Sequence, residues 1–201
     1  MRHAIDSAEP ARYALLGLLL EEPGHGYDLA RHFAPGSALG AVLRLGSSHL
    51  YALLARLERD GLIAGERLDA GAHPPRRVYH VTEVGRAAVL RWIEKPVERP
   101  REMLLDFPLK FYIARRQDSV RAGRLVTRQR RLLTNFLEQL EREVGLSGLS
   151  TLEKGKEDDF IALMRDGRIA RTKASLDWLD RCAVTLETAR PHAPLSAAPS
   201  I

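Results

Sequence analysis

The chain has one cysteine, few aromatic residues, little lysine and no long apolar run, and each scarcity removes a class of protein. Cys182 cannot form an internal disulfide, which favours a reducing compartment. Aromatics make up 6% of the 201 residues, yet the apolar fraction of 45% is enough for a buried core. No stretch approaches the roughly 20 apolar residues of a membrane span, and ARYALLGLLLEE is closed too early by charge. The opening MRHAIDSAEP lacks the apolar segment of a secretion signal. A cytoplasmic chain forming one ordinary domain or two small ones, with no membrane partner, is expected.

The missing motifs are as informative. The seven His are scattered, with no pair at the i, i+4 spacing of a helical metal site, so no metal is expected. There is no phosphate-cradling glycine loop and no Gly-x-Ser-x-Gly elbow. Neither a catalytic constellation nor a cofactor is expected. The net charge of +5 comes mostly from Arg, which outnumbers Lys 26 to 5. Residues 1–95 are nearly neutral, with 12 basic against 11 acidic residues. Most of the excess sits between Lys110 and Arg131, where eight basic residues accompany one acid.

What is present is helical periodicity with a short extended interruption. Residues 1–10 are expected to be flexible, followed by an apolar helix over about Ala11–Glu22 and a short helix in GYDLARHF. In SSHLYALLARLERDGLI, Leu50, Leu53, Leu54 and Leu57 share one face of a helix, and Gly61 ends it. Gly46 or Ser47 is the expected N-cap. LIAGERL and RVYHV read as two strands around a tip at Gly71 and Pro74-Pro75. Thr82 caps a further helix through RWIEK. Pro96 and Pro100 mark an expected domain boundary at 95–96. Long helices are then expected over about Val120–Val144, by its three- and four-residue apolar spacing, and Glu157–Thr188, weakened at Gly167. Residues 191–201 are Pro/Ala/Ser-rich and expected to be disordered.

Three helices, a hairpin and a fourth helix is the order of a winged helix-turn-helix, whose third helix enters the major groove. The outward face of the 47–60 helix fits that role. Small Ser47, Ser48, Ala52 and Ala55 allow close approach to base edges, while Arg56, Arg59 and the Tyr51 hydroxyl suit phosphates or a guanine. His49 lies at the N-terminal end. Arg76 and Arg77 stand at the base of the wing, suited to backbone contacts. The alternative for each is ordinary solvated helix or turn surface, with Tyr51 a rim residue packed on Leu54.

The same segments resemble the PadR family of transcriptional regulators: Gly26-Tyr27 opening helix two, Leu50 to Ile63, and Tyr79, Thr82, Gly85 and Arg86 at the exit from the wing. The resemblance covers about half the chain. It implies a mainly α protein with an N-terminal winged helix-turn-helix over 11–95 and an antiparallel helical dimerisation domain over 96–190. It implies a homodimeric regulator, usually a repressor, bound to double-stranded operator DNA with an inverted repeat. Leu133, Leu137, Leu140, Leu176, Leu179 and Ala183 are the expected dimerisation positions. Trp92 becomes a candidate contact for a small aromatic effector, with packing against a C-terminal helix as the alternative. One departure stands out: the family often begins its recognition helix with Ser-Pro-Gly-Thr, where this chain has Gly46-Ser47-Ser48-His49. A rival reading is a winged helix used as a protein-interaction module, or an activator acting with another regulator.

Overall fold

A computed structural model describes residues 8–68, 76–147 and 156–188. The chain divides into two compact units, residues 1–117 and 118–201.

The first unit is built around α1 (Ala8–Leu19). This helix is apolar on most sides, and Ala11, Ala14, Leu15, Leu16, Leu18 and Leu19 are buried. It starts earlier than the sequence implies, because Pro10 lies in the first turn, where a missing N–H forfeits no helical bond. Of the segment expected to be flexible, residues 8–10 are helical and residues 1–7 lie outside the described residues. The Pro23-Gly24 break holds a feature the sequence did not announce. Gly24–His25 forms a two-residue strand, β1, before α2 (Gly26–Arg31).

The 47–60 segment folds as expected into α3 (Ser47–Arg59), with Gly46 as N-cap. Its end is a Schellman motif. Leu62 N donates to Leu57 O at 2.9 Å, Gly61 N donates to Glu58 O at 3.0 Å, and Gly61 has φ of 69°, a region a Cβ disfavours. Two strands follow, β2 (Ile63–Leu68) and β3 (Arg76–Val81), antiparallel from Ile63↔Val81 to Leu68↔Arg76. The expected tip between them lies outside the described residues. β1 pairs with the other edge of β3, giving the order β1-β3-β2. Thr82 is the N-cap of α4 (Glu83–Glu94), accepting from Gly85 N at 3.1 Å and donating to Gly61 O at 2.7 Å. That hydroxyl joins the end of α3 to the start of α4.

The expected boundary at residue 95 needs correction. A 3-10 helix (Pro100–Leu104) leads into α5 (Asp106–Gln117), which packs on α1 and α4. Phe107, Leu109, Ile113 and Ala114 are all fully buried. The two prolines turn the chain within the unit rather than leaving it. Arg116 of α5 also forms a bidentate ion pair with Glu21.

The second unit consists of α6 (Ser119–Ser147) packed on α7 (Lys156–Thr188). The connection at 148–155 lies outside the described residues, as does the tail. α7 runs unbroken through Gly167, where the sequence pattern weakened. No helix among the described residues is long and apolar enough to cross a membrane.

Candidate nucleic-acid interface

α3 separates its residues sharply. Leu50, Leu54 and Leu57 are fully buried and Leu53 nearly so, anchoring the helix on α1, α2 and β2. Fully burying each such side chain contributes roughly 1.5–3 kcal/mol, so the orientation of the helix is strongly fixed. Ser47, Ser48, His49, Tyr51, Ala52, Ala55, Arg56 and Arg59 are all exposed. The face expected to meet bases is thus intact, narrow-chained at its centre and flanked by arginines.

Tyr51 is held as well as exposed. It is 48% accessible, but its ring lies against Gly26: a Cβ at that position would stand 2.5 Å from Tyr51 Cε1. The Gly-Tyr pair that opens α2 therefore makes room for the Tyr51 ring and fixes its direction. Tyr27 is 70% exposed and lines, with Tyr51, His25, Arg77 and Tyr79, an open groove of about 520 Å³. The sequence reading named Tyr27 as half of the Gly-Tyr pair opening helix two and gave it no contact role. Its signal was present, as an aromatic at the first turn of a helix beside the recognition face.

Of the two wing arginines, Arg77 differs from the expectation of a free phosphate donor. Arg77 Nη2 is 2.5 Å from Glu58 Oε1, and its guanidinium lies 5.6 Å from the centre of the Tyr79 ring. The same Glu58 oxygen accepts from Gly65 N at 3.1 Å. Arg77 therefore fastens β3 to α3, and a phosphate would have to share it with Glu58. Burial pushes the Tyr79 phenol above its ordinary pKa. Arg76 opens β3 opposite Leu68, and its side chain lies outside the described residues.

Trp92 stands away from α3, half-buried on α4. Its ring stacks on Tyr13 of α1 with centroids 5.0 Å apart and planes at 12°. Lys110 Nζ lies 5.0 Å from the Trp92 ring and donates to Lys95 O at 2.6 Å. Burial lowers the Lys110 pKa from 10.5 to about 8 and raises that of neighbouring Asp106. These groups border an open cavity of about 710 Å³ that also reaches Arg91, Glu98 and Arg101. The partner expected for Trp92, a C-terminal helix, is replaced by α1 and α5.

Of the expected dimerisation positions, Leu133, Leu140 and Leu179 are at most 1% exposed in a single chain, so α6 and α7 already cover them. Leu137, Leu176 and Ala183 remain partly exposed. The large apolar side chains left open on α7 are instead Phe160, Ile161, Leu163 and Met164 near its start and Val184 near its end, between 46% and 61% exposed. Among the described residues, no group of His, Cys, Asp or Glu is placed to hold a metal ion.

Comparison with known proteins finds likenesses over the first unit and over most of the chain. Residues 15–91 fit the model of the transcriptional regulator PadR-like family. A probable transcriptional regulator of Mycobacterium tuberculosis is 24% identical over 192 residues, spanning 89% of this chain and 98% of the relative. The negative transcriptional regulator PadR of Bacillus subtilis is 28% identical over 101 residues, covering 50% of this chain and 54% of that protein. The crystal structure of Bacillus subtilis PadR with operator DNA aligns over 88% of this chain and 98% of its own, at 23% identity and a TM-score of 0.43. The matched segment begins inside α1 and ends on α4, so it contains α2, α3, the wing strands and the Thr82 cap. Residues 15–91 are thus similar to the transcriptional regulator PadR-like family, over less than half of the 201-residue chain.

Proposed function

We propose that the protein is a homodimeric, cytoplasmic repressor that reads an inverted-repeat operator in double-stranded DNA. The observation that carries this reading is the division of α3, with four leucines buried and every expected contact residue from Ser47 to Arg59 exposed. Ser48, Ala52 and Ala55 let the helix axis approach the groove, Arg56 and Arg59 reach phosphates or a guanine, and Tyr51 is pre-positioned by Gly26. Two such helices about a dyad would address half-sites one helical turn, or a multiple of it, apart.

Dimerisation belongs to the second unit in this reading. Leu137, Leu176 and Ala183 keep part of their surface, and Phe160, Ile161, Leu163 and Met164 supply more. An effector has a reasonable place beside Trp92, where a half-buried aromatic pair borders an open cavity and Lys110 offers a cation. A small aromatic molecule bound there would bear on α1 and α4, and through them on α3.

A second reading, a winged helix that binds protein instead of DNA, is favoured by the near balance of 12 basic and 11 acidic residues over 1–95. Gel shift of the region upstream of the protein's own gene, with a salt titration, separates the two. Saturable, salt-dependent retardation is expected for the operator. Absence of any shift at low salt would favour the protein-interaction module.

A further inference from the structure

The basic stretch from Lys110 to Arg131 is left over once the winged helix has been accounted for. Its second half forms the N-terminal part of α6. Arg121, Arg124, Arg128 and Arg131 follow one another at spacings of three, four and three residues. That places all four within about 80° around the helix and along about 15 Å of its length. Arg124, Arg128 and Arg131 are exposed and Arg121 is half-buried. The buried residues of the same stretch, Ala122, Leu125, Val126, Gln129 and Leu133, occupy a different arc. Arg130 points away from the stripe and pairs with Asp180 of α7 at 2.9 Å. From Ser119 to Leu137 there is no Asp or Glu at all.

Like charges three and four residues apart on a helix repel one another. We infer that this stripe is a second surface for the phosphate backbone of double-stranded DNA, separate from α3 and the wing. The inference rests on the DNA-binding reading above. Two observations favour DNA as the occupant. The stripe is linear and of one sign, as suits a polymer carrying one negative charge per roughly 1.7 Å of axis. In addition, residues 1–117 carry 17 basic against 14 acidic residues, so the reading unit brings only a modest share of the counterion-release energy that supplies non-specific affinity. The α6 stripe adds to that share.

The test uses the full-length protein and a random-sequence duplex, with binding followed by fluorescence anisotropy between 50 and 200 mM salt. The variants are R124Q/R131Q and R124K/R131K, with circular dichroism and sedimentation confirming an unchanged fold. Loss of two phosphate contacts should make the slope of log affinity against log salt shallower by about 1.8 for each protomer engaged on the duplex. The affinity deficit of the Gln variant would then be greater at 50 mM than at 200 mM salt by about tenfold per engaged protomer. The Lys variant should keep the wild-type slope. A Gln variant with the wild-type slope overturns the inference, leaves the α3 reading standing and assigns the stripe to an acidic partner of another kind. Equal losses in the Gln and Lys variants would also overturn it, since charge alone would not then explain the effect. A wild-type protein that binds no duplex at any salt overturns both readings together.

Discussion

The two units treat their apolar residues in opposite ways. In the first, every leucine on the inner face of α3 is at most 4% exposed, and α1 and α5 are enclosed on several sides. In the second, one seam is well filled by Leu125, Leu133, Leu140 and Leu179, while four large side chains near the start of α7 stand open. The first unit leaves Val84 and Leu104 open, at 63% and 83%, on separate elements, while its core is closed within one chain. The second has a finished inner seam and an unfinished outer surface, which is what a helical pair built for a second copy would show. The comparison separates a module whose contacts are polar and aimed outward from one whose spare surface is apolar.

The largest expected effect tests the unfinished surface. Leu163→Asp and Ile161→Asp change residues that are 61% and 51% exposed, so the single chain should fold as before. Sedimentation should show monomer where the wild type is dimer, and operator affinity should fall by about 10²- to 10⁴-fold as the second engagement ceases to be intramolecular. Leu179→Asp should act differently, because that side chain is wholly buried between α6 and α7. It should unfold the helical pair, with loss of helical ellipticity as well as of DNA binding. A dimeric Leu163→Asp protein with full operator affinity would break the comparison.

The complete core of the first unit is tested by Leu54→Ala. This position is fully enclosed, so truncation should cost about 2–5 kcal/mol, read by chemical denaturation. An exposed position on the same helix, Ala55→Ser, should change stability by less than about 0.5 kcal/mol. Similar losses at both sites would mean that α3 is not anchored as described.

How far this division could be read from sequence depended on whether the signal was local. The buried face of α3, its end at Gly61 and the Thr82 cap were legible because periodicity, a positive φ and a capping hydroxyl each act within a few residues. β1 was not, since a two-residue strand exists only through its pairing with β3. The boundary at 95–96 was misplaced because prolines mark a turn of the chain, whereas the burial of α5 against α1 is a contact across about a hundred residues of sequence. The expected dimerisation positions divide into covered and partly exposed ones for a related reason. Apolar spacing marks Leu133 and Leu179, covered within one chain, with the same signature as Leu176, which keeps part of its surface. In the site, the outward residues of α3 were legible, but the clasp of Glu58 on Arg77 and the seat of Tyr51 on Gly26 depend on how separate elements meet.

A smaller effect probes Lys110, a buried cation of the first unit. The folded-state pKa of Lys110 is lowered to about 8 by burial, below its ordinary 10.5. Between those values the unfolded chain holds a proton that the folded chain has released, so this residue makes stability rise with pH across about 8 to 10.5. Asp106, Lys95, Glu98 and Glu102 are the charged groups that bear on it. Subtracting the profile of Lys110→Met from that of the wild type should isolate the rise, on the order of a few kcal/mol in total. A flat difference profile would show that Lys110 keeps its proton beneath Trp92 and on the Lys95 carbonyl.

The smallest expected effect distinguishes contact from support on the recognition face itself. Tyr51→Phe keeps the ring that rests on Gly26 and removes only the exposed hydroxyl. If that hydroxyl donates to a phosphate, operator affinity should fall by about 1 kcal/mol with no change in thermal stability. Arg77→Ala should give the reverse pattern. Its guanidinium already holds Glu58 and covers Tyr79, so the change should loosen β3 from α3 and lower stability. The salt slope should then become shallower by less than the roughly 0.9 expected for a whole phosphate contact. Measured side by side at one salt concentration, the two variants assign each residue by which quantity moves. Unchanged affinity in Tyr51→Phe would leave Tyr51 as a packing residue at the rim of the helix. A full loss of slope in Arg77→Ala would show that DNA takes the guanidinium from Glu58.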